Sequence, residues 1–139
     1  MIKGKQSLKF EQAPYLTFAA SVAGKKEGEG PLGALVDFVE TEDLFGESTW
    51  EAAESAMQKI ACSLVLEKAG TEPEDVRYLF GGDLLRQGVA TSMGVESLGI
   101  PMFGLYGACS TAGEALTLAA MCVAAGYGEK MLAVTSSHF

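Results

Sequence analysis

Apolar positions recur along this chain in two rhythms. Trp50, Ala53, Met57, Ile60, Ala61 and Leu64 keep the three-and-four spacing of one helical face, which predicts a helix over Trp50 to Lys68. Ser48-Thr49-Trp50-Glu51 before it has the S-x-x-E form of a capping box, and Gly70 after it suits a terminator. Trp50 and Cys62 are expected to be core or interface residues of this helix. Three short apolar runs, 78–80, 101–106 and 130–136, read as strands. Between the first two, "LLRQGVATSMGVESLG" predicts a weaker helix interrupted by Gly88 and Gly94. Residues 110–125 predict a strong helix that ends at Gly126 or Gly128. Near the start, "SLKFEQAPYLTFAAS" reads as one or two strands split at Pro14. A long Gly- and charge-rich loop follows, with a short helix expected over 34–39.

The order is therefore β, long loop, α, β, α, β, α, β. Strands alternating with helical crossovers predict an α/β fold with a mostly parallel sheet covered by helices. One helix departs from the usual pattern. Segment 110–125 carries a single charge, Glu114, and is apolar all round. Such a helix is expected to be buried on every side, and one small sheet cannot enclose it. A second layered half, from the same chain or from a partner, is implied.

Composition narrows the function classes. A chain of 139 residues suits one domain, and 48% hydrophobic with 20% charged residues is globular. The formal net charge of -8 argues against a nucleic-acid partner. The acids between Glu27 and Glu54 read as a solvated face. No apolar run reaches the ~18 residues of a membrane span, and "MIKGKQSLKFEQ" lacks the apolar centre of a signal peptide. A soluble, cytoplasmic protein is expected. Three cysteines fit a reducing compartment. A single histidine, and the absence of CxxC or CxxH spacing around Cys62, Cys109 and Cys122, argue against a metal site. Gly28-Glu29-Gly30-Pro31-Leu32-Gly33 spells G-x-G-x-x-G, but Pro31 removes a donor, Glu29 repels phosphate and no strand precedes it. A flexible acidic loop is the favoured reading there.

In parallel α/β sheets, sites form beyond the carboxyl ends of the strands. Gly81-Gly82-Asp83 follows the first core strand, Gly107-Ala108-Cys109-Ser110 the second, and Ser137-His138 the third. If those strands are parallel neighbours, Asp83, Cys109 and His138 face one crevice. Cys109 stands at a helix N-terminus, where unpaired N–H groups favour an anion and so a thiolate. Asp83 after two glycines is most often a helix cap or turn residue.

The motifs "GPLGALVD", "WEAAESAM", "LFGGDLLRQ", "FGLYGACSTAGEALTLAA" and "LAVTSSH" together resemble the amino-terminal half of the stage V sporulation protein AD family, from about Gly4 to His138. That family is similar in fold to thiolases and ketoacyl synthases, so the resemblance implies a thiolase-like layered fold with a buried central helix, and a homodimer. Residues 1–139 then form an amino-terminal half-domain, with the carboxy-terminal half absent. The resemblance further implies a non-catalytic binder of dipicolinic acid (pyridine-2,6-dicarboxylate), acting in its uptake into the forespore with membrane-bound partner proteins, soluble or peripheral at the forespore or spore inner membrane. The ligand-binding residues carried over by motif are Asp83, Cys109 and His138, with no cofactor. The alternative is a thiolase-like acyltransferase with Cys109 as nucleophile and acyl-CoA as donor. A third reading is a truncated half-domain with no function of its own.

Overall fold

The computed structural model describes residues 2–137. Its centre is a three-stranded parallel sheet in the order β6-β5-β7, formed by β5 (Tyr78–Gly82), β6 (Met102–Gly104) and β7 (Met131–Thr135). In register, Gly81 pairs with Gly104 on one side and Gly82 with Thr135 on the other. The middle strand is thus the first in sequence, and each crossover carries a helix, as parallel pairing requires.

Helix α2 (Trp50–Ala69) and helix α3 (Val89–Val95) cover one face of the sheet. Leu79, Leu132 and Val134 point into that side and pack with Cys62, Leu66, Val95 and Ile100. Helix α4 (Thr111–Ala124) lies against β5 and β7 on the opposite face, because side chains alternate along β5. Burial pushes the Cys62 thiol up to about 12, which leaves it inert in the core.

Helix α2 begins at Trp50 as expected, but its cap is not Ser48 of the expected box. Thr49, in extended backbone, is the N-cap, and its hydroxyl accepts from the Ala52 amide at 3.2 Å. Gly70 ends the helix in the left-handed region (φ 54). The buried stripe is also rotated. Ala53, Met57, Cys62 and Leu66 are buried together with the polar Glu54, Ser55 and Gln58, whereas Trp50 is 46% exposed. Trp50 is therefore not a core residue, and Glu54, fully buried, is not part of a solvated face. Helix α3 crosses α2 at Gly94, where a β-carbon would press on the Ser55 carbonyl.

The amino-terminal third differs most from expectation. Strands β1 (Ile2–Lys3) and β2 (Ser7–Leu8) form a small antiparallel ribbon, and residues 9–20 are irregular rather than paired. The apolar side chains Tyr15, Leu16 and Phe18 stay exposed. Strands β3 (Val22–Ala23) and β4 (Phe38–Val39) pair in parallel, with helix α1 (Lys25–Gly28) between them. The short helix expected over 34–39 is a 3₁₀ turn at Gly33–Leu35 that leads into β4. Lys68 on α2 fastens this small sheet by bonding the Asp37 carboxylate and the Ala19 carbonyl. The Lys68 hydrogen bond first, and the Ser21 amide after it, hold the Asp37 carboxyl below its usual range. The G-x-G-x-x-G segment is an ordered turn: the amides of Gly28, Gly30 and Gly33 bond the carbonyls of Gly24, Glu27 and Gly30. Those donors are therefore already used.

The result is a mixed α/β architecture with parallel sheets and helices, compatible with a layered fold. Only Thr111 and Ala115 of α4 are buried, and its outer side, including Leu116 and Met121, faces solvent. Among the described residues, no helix is long and apolar enough to cross a membrane.

Candidate functional site

The carboxyl ends of β5, β6 and β7 lie side by side because the three strands are parallel neighbours. That places Asp83, the turn leading to Cys109, and Ser136 along one edge of the sheet. His138 lies outside the described residues.

Cys109 sits in a 3₁₀ turn, Ala108–Ser110, between β6 and α4, and it is exposed. Ala108 directly before it has φ 49, a left-handed conformation that a residue with a β-carbon rarely adopts. Backbone strain of this kind gathers at functional turns. The turn is tied down from three sides. The Gly107 amide donates to Thr111 Oγ1 at 3.1 Å, the Ser110 amide to the Gly107 carbonyl at 3.0 Å, and the Ser110 hydroxyl to that carbonyl at 2.7 Å. Glu114, in the first turn of α4, folds back so that its Oε1 competes with that carbonyl for the one Ser110 hydroxyl proton. A carboxylate is thus already accommodated where the dipole of α4 favours negative charge.

Asp83 is 1% exposed and its hydrogen bonds are committed. Oδ1 accepts from the amides of Arg86 (3.3 Å) and Gly88 (3.0 Å); Oδ2 accepts from the amide and the hydroxyl of Thr91 at 2.8 and 2.7 Å. Burial pushes its carboxyl up, but these hydrogen bonds outweigh burial and leave it below its usual value. The residue therefore caps α3 and closes the loop over 84–91, as its place after two glycines allowed. Asp83 and Cys109 share the strand-end edge, but Asp83 faces inward and Cys109 outward.

Sequence reasoning missed a second set of polar side chains at this edge. Gln58 Nε2 lies 3.0 Å from Thr91 Oγ1, 2.6 Å from Ser136 Oγ and 3.3 Å from the Gly82 carbonyl. The Ser136 hydroxyl donates to Glu54 Oε1 at 2.7 Å. Glu54 and Gln58 stand one turn apart on α2, and apolar periodicity cannot reveal polar residues on a buried face. The usable signal was Ser136 within "TSSH", one strand end away from Asp83.

Two surface depressions lie away from this edge. One, lined by residues such as Pro73, Arg77, Ile100 and Gly128, is at the amino ends of the strands; the other is at the end of α2. Among the described residues, no group of three His, Cys, Asp or Glu side chains is placed to hold a metal ion.

Comparison with known proteins bears on the whole chain. A family model described as stage V sporulation protein AD matches residues 4–139. Among curated proteins, the stage V sporulation protein AD of Bacillus subtilis (strain 168) is 36% identical over 137 residues, covering 99% of this chain. The chain spans 40% of the length of that relative.

Proposed function

Since the chain belongs to the stage V sporulation protein AD family, we propose that it serves sporulation as part of a non-catalytic binder of dipicolinic acid, in a thiolase-like protein built of two halves. The observation that carries this reading is the Cys109 turn. It is exposed at the carboxyl edge of a parallel sheet, strained at Ala108, and already holds the Glu114 carboxylate against Ser110. A ligand carboxylate meets the same Ser110 hydroxyl, in the favourable field of the α4 N-terminus. In this proposal Cys109 and His138 line the pocket, while Asp83 acts at one remove by shaping the loop over 84–91. The outer side of α4 receives a second layer, and the intact protein is a homodimer that works with membrane-bound partners at the forespore.

Calorimetric titration of dipicolinate into the intact protein tests this. Saturable binding is expected, with Cys109→Ala about fivefold weaker, equivalent to roughly 1 kcal/mol of contact. No heat of binding by a correctly folded protein refutes it.

One observation favours a second reading. An exposed thiol directly after a strained residue is how a nucleophile is presented for acyl transfer. Among the described residues, the side chains that bond within its turn are Ser110, Thr111 and Glu114. Incubation with short acyl-CoA donors followed by intact-mass measurement distinguishes the two. A Cys109 adduct supports acyl transfer, and its absence supports binding alone.

A further inference from the structure

The buried polar groups behind the strand ends form one directed chain, and its proton positions can be deduced. Thr91 and Ser136 each carry one hydroxyl proton, and each hydroxyl lies 2.7 Å from a carboxylate oxygen, Asp83 Oδ2 and Glu54 Oε1 respectively. The Asp83 carboxyl, held below its usual value, accepts the Thr91 proton, and the Ser136 hydroxyl donates to Glu54 Oε1, so both protons are committed outward. The two hydroxyl oxygens can then only accept on their inner sides, and what faces both is Gln58 Nε2. This fixes the amide orientation. It also leaves Gln58 Oε1 buried, with no hydrogen-bond partner among the described residues. A buried amide oxygen without a donor is unfavourable by about 1–3 kcal/mol. The orientation is nevertheless imposed by the two hydroxyls, whose protons leave only acceptors facing Gln58.

The chain reaches the Cys109 turn through Gly82. The Gly82 carbonyl accepts the Ser136 amide at 3.3 Å and lies 3.3 Å from Gln58 Nε2, whose two protons go to Thr91 and Ser136. On its other side the Gly82 α-carbon lies so near the Leu105 carbonyl and the Thr111 methyl that a β-carbon would overlap both. Thr111 is 1% exposed and its hydroxyl holds the Gly107 amide. A displacement of Gly82 is therefore passed to Thr111, and from there to the turn that carries Cys109. Close packing leaves no slack to absorb it.

We propose that Gln58, oriented by Glu54 through Ser136 and by Asp83 through Thr91, is a positioning residue for the Cys109 turn. It pins the ends of β5 and β7 together and, through Gly82 and Thr111, fixes where that turn stands. This rests on the reading of the turn as the ligand site, but half of its test needs no ligand.

The test uses the intact protein with Gln58→Leu and Gln58→Glu, and measures thermal melting, amide hydrogen exchange by mass spectrometry and dipicolinate affinity. In folded Gln58→Leu, exchange over 105–113 is expected to rise about tenfold, the effect of a typical coupling within one network. Exchange over 62–69, in the carboxy-terminal half of α2, stays unchanged, and dipicolinate affinity falls about tenfold. Gln58→Glu adds a signature that a purely structural role lacks. The groups facing the introduced carboxyl are Thr91, Ser136, Asp83 and Glu54, so burial and the Asp83 carboxylate raise its pKa. At pH 5 it is neutral and donates one hydrogen bond, so protection over 105–113 approaches wild type at the same pH. At pH 8 it is charged and the protection is lost. A folded Gln58→Leu with unchanged exchange over 105–113, or with raised exchange and unchanged affinity, overturns the proposal. If the wild-type protein binds no dipicolinate, the functional reading fails and the exchange result alone decides this one. If Gln58→Leu does not fold, Ser136→Ala, which removes one of the amide's acceptors, is expected to shift exchange the same way by a smaller factor; no shift overturns the proposal.

Discussion

Replacing Asp83 with alanine is expected to destabilise the protein by about 3–4 kcal/mol. The carboxylate accepts from two donors of Thr91, which is fully buried, and from the amides of Arg86 and Gly88. Water can reach the Arg86 and Gly88 amides once the side chain is gone. It cannot readily reach both Thr91 donors, and each buried donor left unpaired costs about 1–3 kcal/mol. The helix start adds to this, because Asp83 supplies the side-chain cap that the N-cap residue Gly88 lacks. Asp83→Asn keeps the shape but presents an NH2 group to N–H donors, so it rescues only in part. Urea denaturation of the intact protein measures the difference. A loss below about 1 kcal/mol would mean that water replaces the carboxylate.

The same residue sets a pH dependence with a definite sign. Its folded-state carboxyl lies below the usual 3.8. The stabilisation is thus fully present above that value and disappears as pH falls through the lower folded-state value. Wild type should lose stability on acidification through this range, and Asp83→Asn should lose less.

Replacing Leu116 with aspartate is the second large effect. On the described chain Leu116 is 48% exposed, and Met121 and Phe103 are also exposed at 41% and 50%. Taken alone, such a surface position tolerates a charge within about 0.5 kcal/mol. The proposed second layer changes the expectation. If α4 is covered in the intact protein, an aspartate there is an unpaired buried charge, and the loss is about 3–5 kcal/mol or failure to assemble. Lys59→Asp, on the exposed side of α2, provides the control and should stay within about 0.5 kcal/mol. Equal, small effects at both positions would show that nothing covers α4.

How far the sequence revealed this arrangement depended on which signal each residue carries. The three core strands and the helices between them are marked by apolar runs bounded by glycine, so the parallel order and the shared edge of Asp83 and Cys109 could be anticipated. The cap role of Asp83 is the commoner reading of Gly-Gly-Asp, but its inward aim could not be anticipated, because it depends on Thr91 eight residues on. Glu54 reads as part of a solvated acidic face and no signal marks Gln58, because periodicity sorts by polarity; the burial of both follows from Ser136 and Thr91, distant in sequence. Helical spacing marks Trp50 as a core or interface residue, and its 46% exposure at the first position of α2 removes the core half of that expectation. Residues 9–20 have strand-like composition, yet a strand needs a partner, and the chain offers them none among the described strands.

The most direct test of the account is a crystal structure of the intact protein soaked with dipicolinate. The account predicts ring density over the Gly107–Thr111 turn, beside the ends of β5 and β7, with one carboxylate on the Ser110 hydroxyl at the start of α4 and Glu114 displaced from Ser110. Density in the depression between Pro73 and Gly128 at the opposite edge, or none at saturating ligand, would contradict it.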